Sequence, residues 1–281
     1  MQRLDTQKLD QLRQQIAAIE RRPLLADGAA MLAQKSKMSE PEGDPRLAAL
    51  SVPGGHLHEV FADEPRASGA SLGFALGLAR PLLESGRRAL LYLQLTEDVQ
   101  EFGMPYGLGL ATFGLDPDHL VICRVNTLPE CLWAMEEAIA CRAVAAVIAD
   151  IPGQPKALDF TVSRRLGMRT AAAGTSAFLL RYGRAREASA ARLRWQVTPI
   201  PSAGQRFDAA APGPPRFAVS IEKHRLGSAS KRAEGQRLTL DWTADGFVAV
   251  TPDQPAARPH QPAASPRPQP AALGDRLSQT G

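Results

Sequence analysis

The apolar positions of this chain change their spacing part-way along, and the change marks a shift in the structure they predict. From Leu57 to Leu180, short and nearly unbroken apolar runs alternate with helical stripes. The runs are a buried strand that opens at Leu57 and leads into a turn-rich loop ending in Ser68-Gly69, then Ala89 to Leu95, His119 to Val125, Ala143 to Ala149 and Ser176 to Leu180. Runs of this kind suit strands covered on both faces, as in a parallel sheet. Between them, an apolar helix is expected after Ser68-Gly69. Leu128, Leu132, Met135 and Ile139 predict a second over 128–141, with Glu136 and Glu137 partly outward. Asp159 is placed to cap a third through Arg164, Arg165 and Arg169. Trp133 and the cysteines read as packing residues. Beyond Arg192 the period becomes two: Leu193, Trp195 and Val197 share one face of a half-exposed strand. Phe217–Glu222, Arg237–Trp242 and Gly246–Val250 then read as antiparallel strands. The expected fold is α/β, a mostly parallel sheet flanked by helices with an antiparallel C-terminal extension.

The flanks have other patterns. Leu4 to Arg22 lacks Gly and Pro and spaces Leu9, Leu12, Ile16 and Ile19 along one helical stripe, ending near Pro23. That stripe either packs on the protein's own core or docks on another subunit or partner. A polar connection through Ser36, Pro41, Gly43 and Pro45 follows, so 1–46 reads as helix and linker and 47–252 as the folded domain. Pro, Ala and Gln dominate 253–281, predicting a disordered tail. Within the domain, Glu101 to Gly114 is Gly-rich and Pro199 to Pro215 reads as an excursion of low order.

The 281 residues, 44% hydrophobic and 22% charged, suffice for one buried core. A net charge of +4 mildly favours an anionic partner such as DNA. The spacing of Cys123, Cys131 and Cys141 matches neither a zinc site nor a disulfide scaffold, which makes a reduced cytoplasmic setting the default. No apolar run approaches the roughly 18 residues of a membrane span.

The candidate chemistry lies at the junction after the first strand. A P-loop, G-x-x-x-x-G-K-[ST], occupies such a junction because loop amides and a helix N-terminus together cradle phosphates. Here Gly69 is the second glycine and Ser71 the hydroxyl, but Ala70 stands where lysine belongs. Asp150 ends a buried strand at the sheet edge where ligands bind, and an aspartate there helps hold Mg²⁺ in P-loop proteins. An aspartate ending a strand also serves as an ordinary cap or loop residue. Glu97 follows the second strand and is placed to orient a water, whereas Arg66 lies ahead of Ser68 with no geometry to replace the lysine. The expectation is a protein without catalytic residues or a required cofactor. Ser68, Gly69, Ser71 and Asp150 would form a vestigial nucleotide site that attracts ATP and Mg²⁺ weakly at most.

The order of elements resembles the RecA core, with Ser68-Gly69-Ala70-Ser71 at the phosphate loop, Val147-Ile148-Ala149-Asp150 at the magnesium aspartate, and Phe217 to Arg225 like the RecA strand that ends in a basic run. Leu57-His58-Glu59-Val60, Gly103 to Leu110, Phe113 to Pro117, Ser163-Arg164-Arg165-Leu166 and Arg194-Trp195 carry a closer resemblance, over 47–251, to the RecA-related ImuA family of the bacterial damage-induced mutagenesis cassette. The resemblance implies an accessory to translesion DNA synthesis that works with ImuB, an inactive Y-family polymerase relative, and with an error-prone polymerase. It further implies a cytoplasmic protein that joins the nucleoid on damage, with a second copy of the chain or RecA as further contacts. Arg181, Tyr182, Arg184, Arg186, Arg192 and Arg194 look equivalent to a DNA-contacting loop of RecA, where guanidinium groups bridge phosphates and a tyrosine stacks on a base. The same residues also suit a solvated loop between strands. A DNA-dependent ATPase and a division inhibitor like SulA are the alternative functions.

Overall fold

In the computed structural model, residues 44–204, 208, 211–226 and 233–251 are described. The helix expected over Leu4–Arg22, with Leu9, Leu12, Ile16 and Ile19, and the tail expected over 253–281 lie outside the described residues.

The apolar runs become strands β1 Leu57–Ala62, β2 Ala89–Leu95, β3 Leu120–Val125, β4 Val144–Asp150 and β5 Ser176–Tyr182. They are joined by helices α1 Ser68–Ala79, α2 Val99–Phe102, α3 Gly107–Thr112, α4 Leu128–Ala140 and α5 Phe160–Ala173. Strands β6 Leu193–Ile200, β7 Arg216–His224, β8 Arg237–Thr243 and β9 Gly246–Val250 complete the sheet. The strand order is β3-β2-β4-β5-β1-β6-β7-β8-β9. Pairing is parallel from β3 through β6 and antiparallel from β6 to β9, the fold class read from the sequence.

The central strands are buried on both faces because each face has its own helical cover. α1 is apolar on every side and lies against β1, β5 and β6. Its side of the sheet contributes Val60, Tyr92, Ile148, Phe178 and Trp195 to one core. α4 and α5 cover the opposite face, where Leu93, Met135, Val147, Leu166 and Leu179 form a second. As expected, Asp159 caps α5, its Oδ1 accepting from the Val162 amide at 2.8 Å. Glu136 pairs with Arg165 at 2.6 Å and Arg169 at 3.0 Å, tying α4 to α5.

One stripe of α1 is built from Gly69, Gly73 and Gly77, four residues apart. A β-carbon at Gly77 would fall 2.4 Å from the Phe247 ring, and one at Gly73 would fall 2.6 Å from Phe113. The smooth face lets the β8–β9 hairpin and Phe113 close over the helix.

Two expectations need correction. Trp133 and Cys141 are not packing residues: Trp133 is 66% exposed on α4, because Cys131, Leu132 and Met135 occupy the inward face, and Cys141 is exposed just past the helix end. The expected excursion from Pro199 starts later, since β6 continues through Pro199 and Ile200, paired with Phe217 and Arg216 of β7. Among the described residues, no helix is long and apolar enough to cross a membrane.

Candidate functional site

The carboxyl ends of β2, β4, β5 and β1 lie side by side, and the register places Gln94 beside Asp150 and Ala62 beside Tyr182. This is the edge of an open α/β sheet where ligands bind. The N-terminus of α1 and the Phe102–Phe113 segment enclose a cavity of about 230 Å³ above it. Its lining includes Ser68, Gly69, Leu72, Tyr92, Tyr106 and Asp150. The structure therefore brings Ser68, Gly69 and Asp150 to one cavity, with Ser71 buried one turn into α1.

Polar atoms without a partner concentrate here. Ser71 Oγ, Gln94 Oε1, Asp98 Oδ2, Asp150 Oδ1 and the Tyr182 hydroxyl are all buried and make no hydrogen bond. Asp150 keeps one bond, from the Tyr92 hydroxyl to Oδ2 at 2.8 Å. Burial pushes the Asp150 carboxyl up to about 6, against the opposing pull of the Tyr92 and Tyr182 hydroxyls. Tyr182 stands near enough to Asp150 to influence it, although its hydroxyl does not meet the geometry of a hydrogen bond. Burial and Asp150 together raise both tyrosines. Asp98 is raised as well, by partial burial and by Glu97 and Glu101.

The loop that would cradle a phosphate is folded on itself. Pro65–Ala67 forms a tight turn in which the Ala67 amide donates to the Glu64 carbonyl at 3.0 Å and the Ser68 amide to the Pro65 carbonyl. Glu64 occupies the first glycine position of the motif, and the Arg66 side chain is tied to it. Ala70 adds no charge. These features leave two loop amides and the nearest guanidinium already engaged.

The proposed DNA-contacting segment is mostly turned inward. Arg181 is buried, donating to the Gly153 carbonyl at 3.0 Å and pairing with Glu187 at 3.2 Å. Tyr182 is buried and stacks on Phe102 at 5.1 Å between centroids. Arg186 pairs with Glu222 at 2.9 Å and lies over the Phe61 ring at 4.1 Å. Arg194 binds Glu59 at 2.7 Å and caps the same ring. Arg184 and Arg192 remain exposed. Neither the spacing nor the composition of the segment reveals this, because the acidic partners Glu59, Asp63 and Glu222 belong to other strands and loops.

Sequence reasoning missed Tyr92, Gln94, Asp98 and Glu101. A signal was present for the first two, polar-tipped side chains inside an otherwise apolar strand. Among the described residues no group of three His, Cys, Asp or Glu side chains is arranged to hold a metal ion.

No protein-family model matches the chain. It is similar to Protein ImuA from two strains of Caulobacter vibrioides, NA1000 / CB15N and ATCC 19089 / CIP 103742 / CB 15. Identity to each is 28% over 200 residues, covering 67% of this chain and 78% of the relative.

Proposed function

We propose that this relative of ImuA, the protein of the damage-induced mutagenesis cassette, is a non-catalytic, RecA-like accessory of translesion synthesis. It acts as an adaptor between an ImuB-like Y-family relative and an error-prone polymerase, in the cytoplasm and at the nucleoid after damage. The kinship supports the mutagenesis setting. The observation that supports a non-catalytic role is the loop after β1, which lacks the lysine at Ala70 and spends the Ala67 and Ser68 amides on its own carbonyls. Transfer of phosphate needs a cation on the leaving oxygens, and the cation among the described residues that lines the cavities, Arg66, is already paired with Glu64. In this reading the stripe of Leu9, Leu12, Ile16 and Ile19 recognises a partner, and any contact with single-stranded DNA falls to Arg184 and Arg192.

A second reading, a DNA-dependent ATPase, draws on the unpartnered Ser71 Oγ and Asp150 Oδ1, the two atoms Mg²⁺ would take. Co-purification of the full chain with an ImuB-like protein, run beside a phosphate-release assay with single-stranded DNA, separates the two. A complex with no DNA-stimulated release is expected. Absence of a complex at micromolar concentration, or release that Asp150→Ala abolishes, would overturn the adaptor reading.

A further inference from the structure

The cavity over Asp150 differs from a phosphate site in charge, size and lip. At about 230 Å³ it is by itself below the roughly 300–1,000 Å³ of small-molecule sites and of a size for one side chain, and the more open cavity that adjoins it measures about 580 Å³. Its walls are Leu72, Leu76, Phe102, Leu110 and Phe113, and its buried polar feature is Asp150, 2% exposed, with Oδ1 unpartnered. An adjoining cavity, lined by Glu64, Arg66 and Glu101, shares Ser68 and Phe102 with the first. Asp98 lies close enough to Asp150 to raise its pKa. The one cation lining either cavity, Arg66, is paired with Glu64, and the exposed Arg184 lies near that same carboxylate.

The N-terminus of α1 contributes about half a positive charge at Ser68–Gly69. Glu64 is neutralised by Arg66, but the three other carboxylates, of Asp98, Glu101 and Asp150, outweigh that half charge, so the cleft as a whole attracts cations. Beside this acidic mouth the lip is apolar and open: Met104 is 52% exposed, Tyr106 69% and Leu108 68%. Exposed apolar residues next to a pocket with a buried charge mark an interaction surface.

We infer that this cleft docks a segment of a protein partner in which an arginine or lysine adjoins an apolar residue. The cationic head enters to meet Asp150 Oδ1, with Glu101 at the mouth and the charge of Asp98 behind Asp150. The apolar neighbour lies on Met104, Tyr106 and Leu108. The inference rests on the adaptor reading and assigns a surface to it.

Methyl NMR of the full chain labelled at methionine tests it, with the Met104 signal identified by Met104→Leu. The probes are acetyl-Leu-Arg-amide, its uncharged citrulline counterpart, acetyl-Leu-Glu-amide and Mg-ATP. The arginine peptide is expected to shift Met104 with saturation in the millimolar range, and the other three are not. Asp150→Asn, which keeps the side-chain shape, should weaken that response about ten-fold or more. Glu101→Gln, an exposed change that leaves folding intact, should weaken it roughly two- to five-fold. Equal response to the citrulline peptide, or to Mg-ATP at the same concentrations, would overturn the assignment. So would a mute Met104 while the ImuB-like protein still co-purifies, which would leave the adaptor reading standing.

Discussion

The Tyr92 hydroxyl, on β2, donates to Asp150 Oδ2, on β4, at 2.8 Å, and among the described residues it is the one hydrogen bond that reaches this buried carboxyl. One bond does not offset the loss of hydration, so the carboxyl titrates near 6 in the fold against an ordinary 3.8. A raised acid pKa means that the folded state holds the proton more tightly than the unfolded chain. The stabilisation is complete below pH 4 and lost as pH rises past 6, a swing of about 3 kcal/mol. Asp150→Asn removes the swing while still accepting from Tyr92. Urea unfolding should find it more stable than the parent by about 1–3 kcal/mol at pH 8 and indistinguishable at pH 4.

Arg194 and Glu59 form a pair buried at both ends, with side chains 14% and 3% exposed. Removing the guanidinium leaves a carboxylate in the core, so Arg194→Ala should cost about 3–5 kcal/mol in chemical denaturation. Arg184→Ala, at an exposed site, should change stability by no more than about 0.5 kcal/mol. Loss of single-stranded DNA binding in an Arg194 variant therefore reports on folding. The informative variants are Arg184→Ala and Arg192→Ala, measured by fluorescence anisotropy at two salt concentrations.

Restoring the motif lysine should not restore the site. Ala70→Lys supplies a charge, but Glu64 holds the first glycine position and the Ala67 and Ser68 amides stay in their turn. Titration with a fluorescent ATP analogue should give an affinity within a few-fold of the parent. A gain of about a hundred-fold, the return expected for a lysine on an open phosphate cradle, would show that the turn yields to the ligand.

The glycine stripe of α1 supplies a matched pair. Gly77→Ala drives a methyl into the Phe247 and Trp242 rings and should destabilise by about 1–3 kcal/mol. At Gly69 a methyl meets nothing within 4 Å, so Gly69→Ala should be neutral or stabilise by up to about 1 kcal/mol through helix propensity. Thermal melts of the two variants should move in opposite directions, or only the first should move.

Much of this was legible in the sequence. The runs ending at Leu95, Ala149 and Leu180 are apolar enough to require cover on both faces, and the period-two pattern around Trp195 announces where the sheet turns antiparallel. Asp150 was found because its strand delivers it to a known edge. What escaped depends on partners distant in sequence. Arg186 and Arg194 look like part of a basic patch until Glu222 and Glu59 are seen beside them, whereas the Glu187 partner of Arg181 lies within the same segment. Trp133 looks like core until the helix phase fixed by Met135 turns it outward. The cluster of Tyr92, Gln94 and Asp98 joins Asp150 only once β2 lies next to β4.

The position of β1 has a consequence for how the protein is made. Its six residues are all buried, yet both of its neighbours, β5 from Ala177 and β6 from Leu193, lie past the middle of the chain. During synthesis the central strand leaves the ribosome early and waits, unpaired and apolar, until most of the domain has followed. Fragments that stop before β6 leave one of its two edges unpaired. This protein should therefore fold late, as one event, and lean on chaperones in the interval.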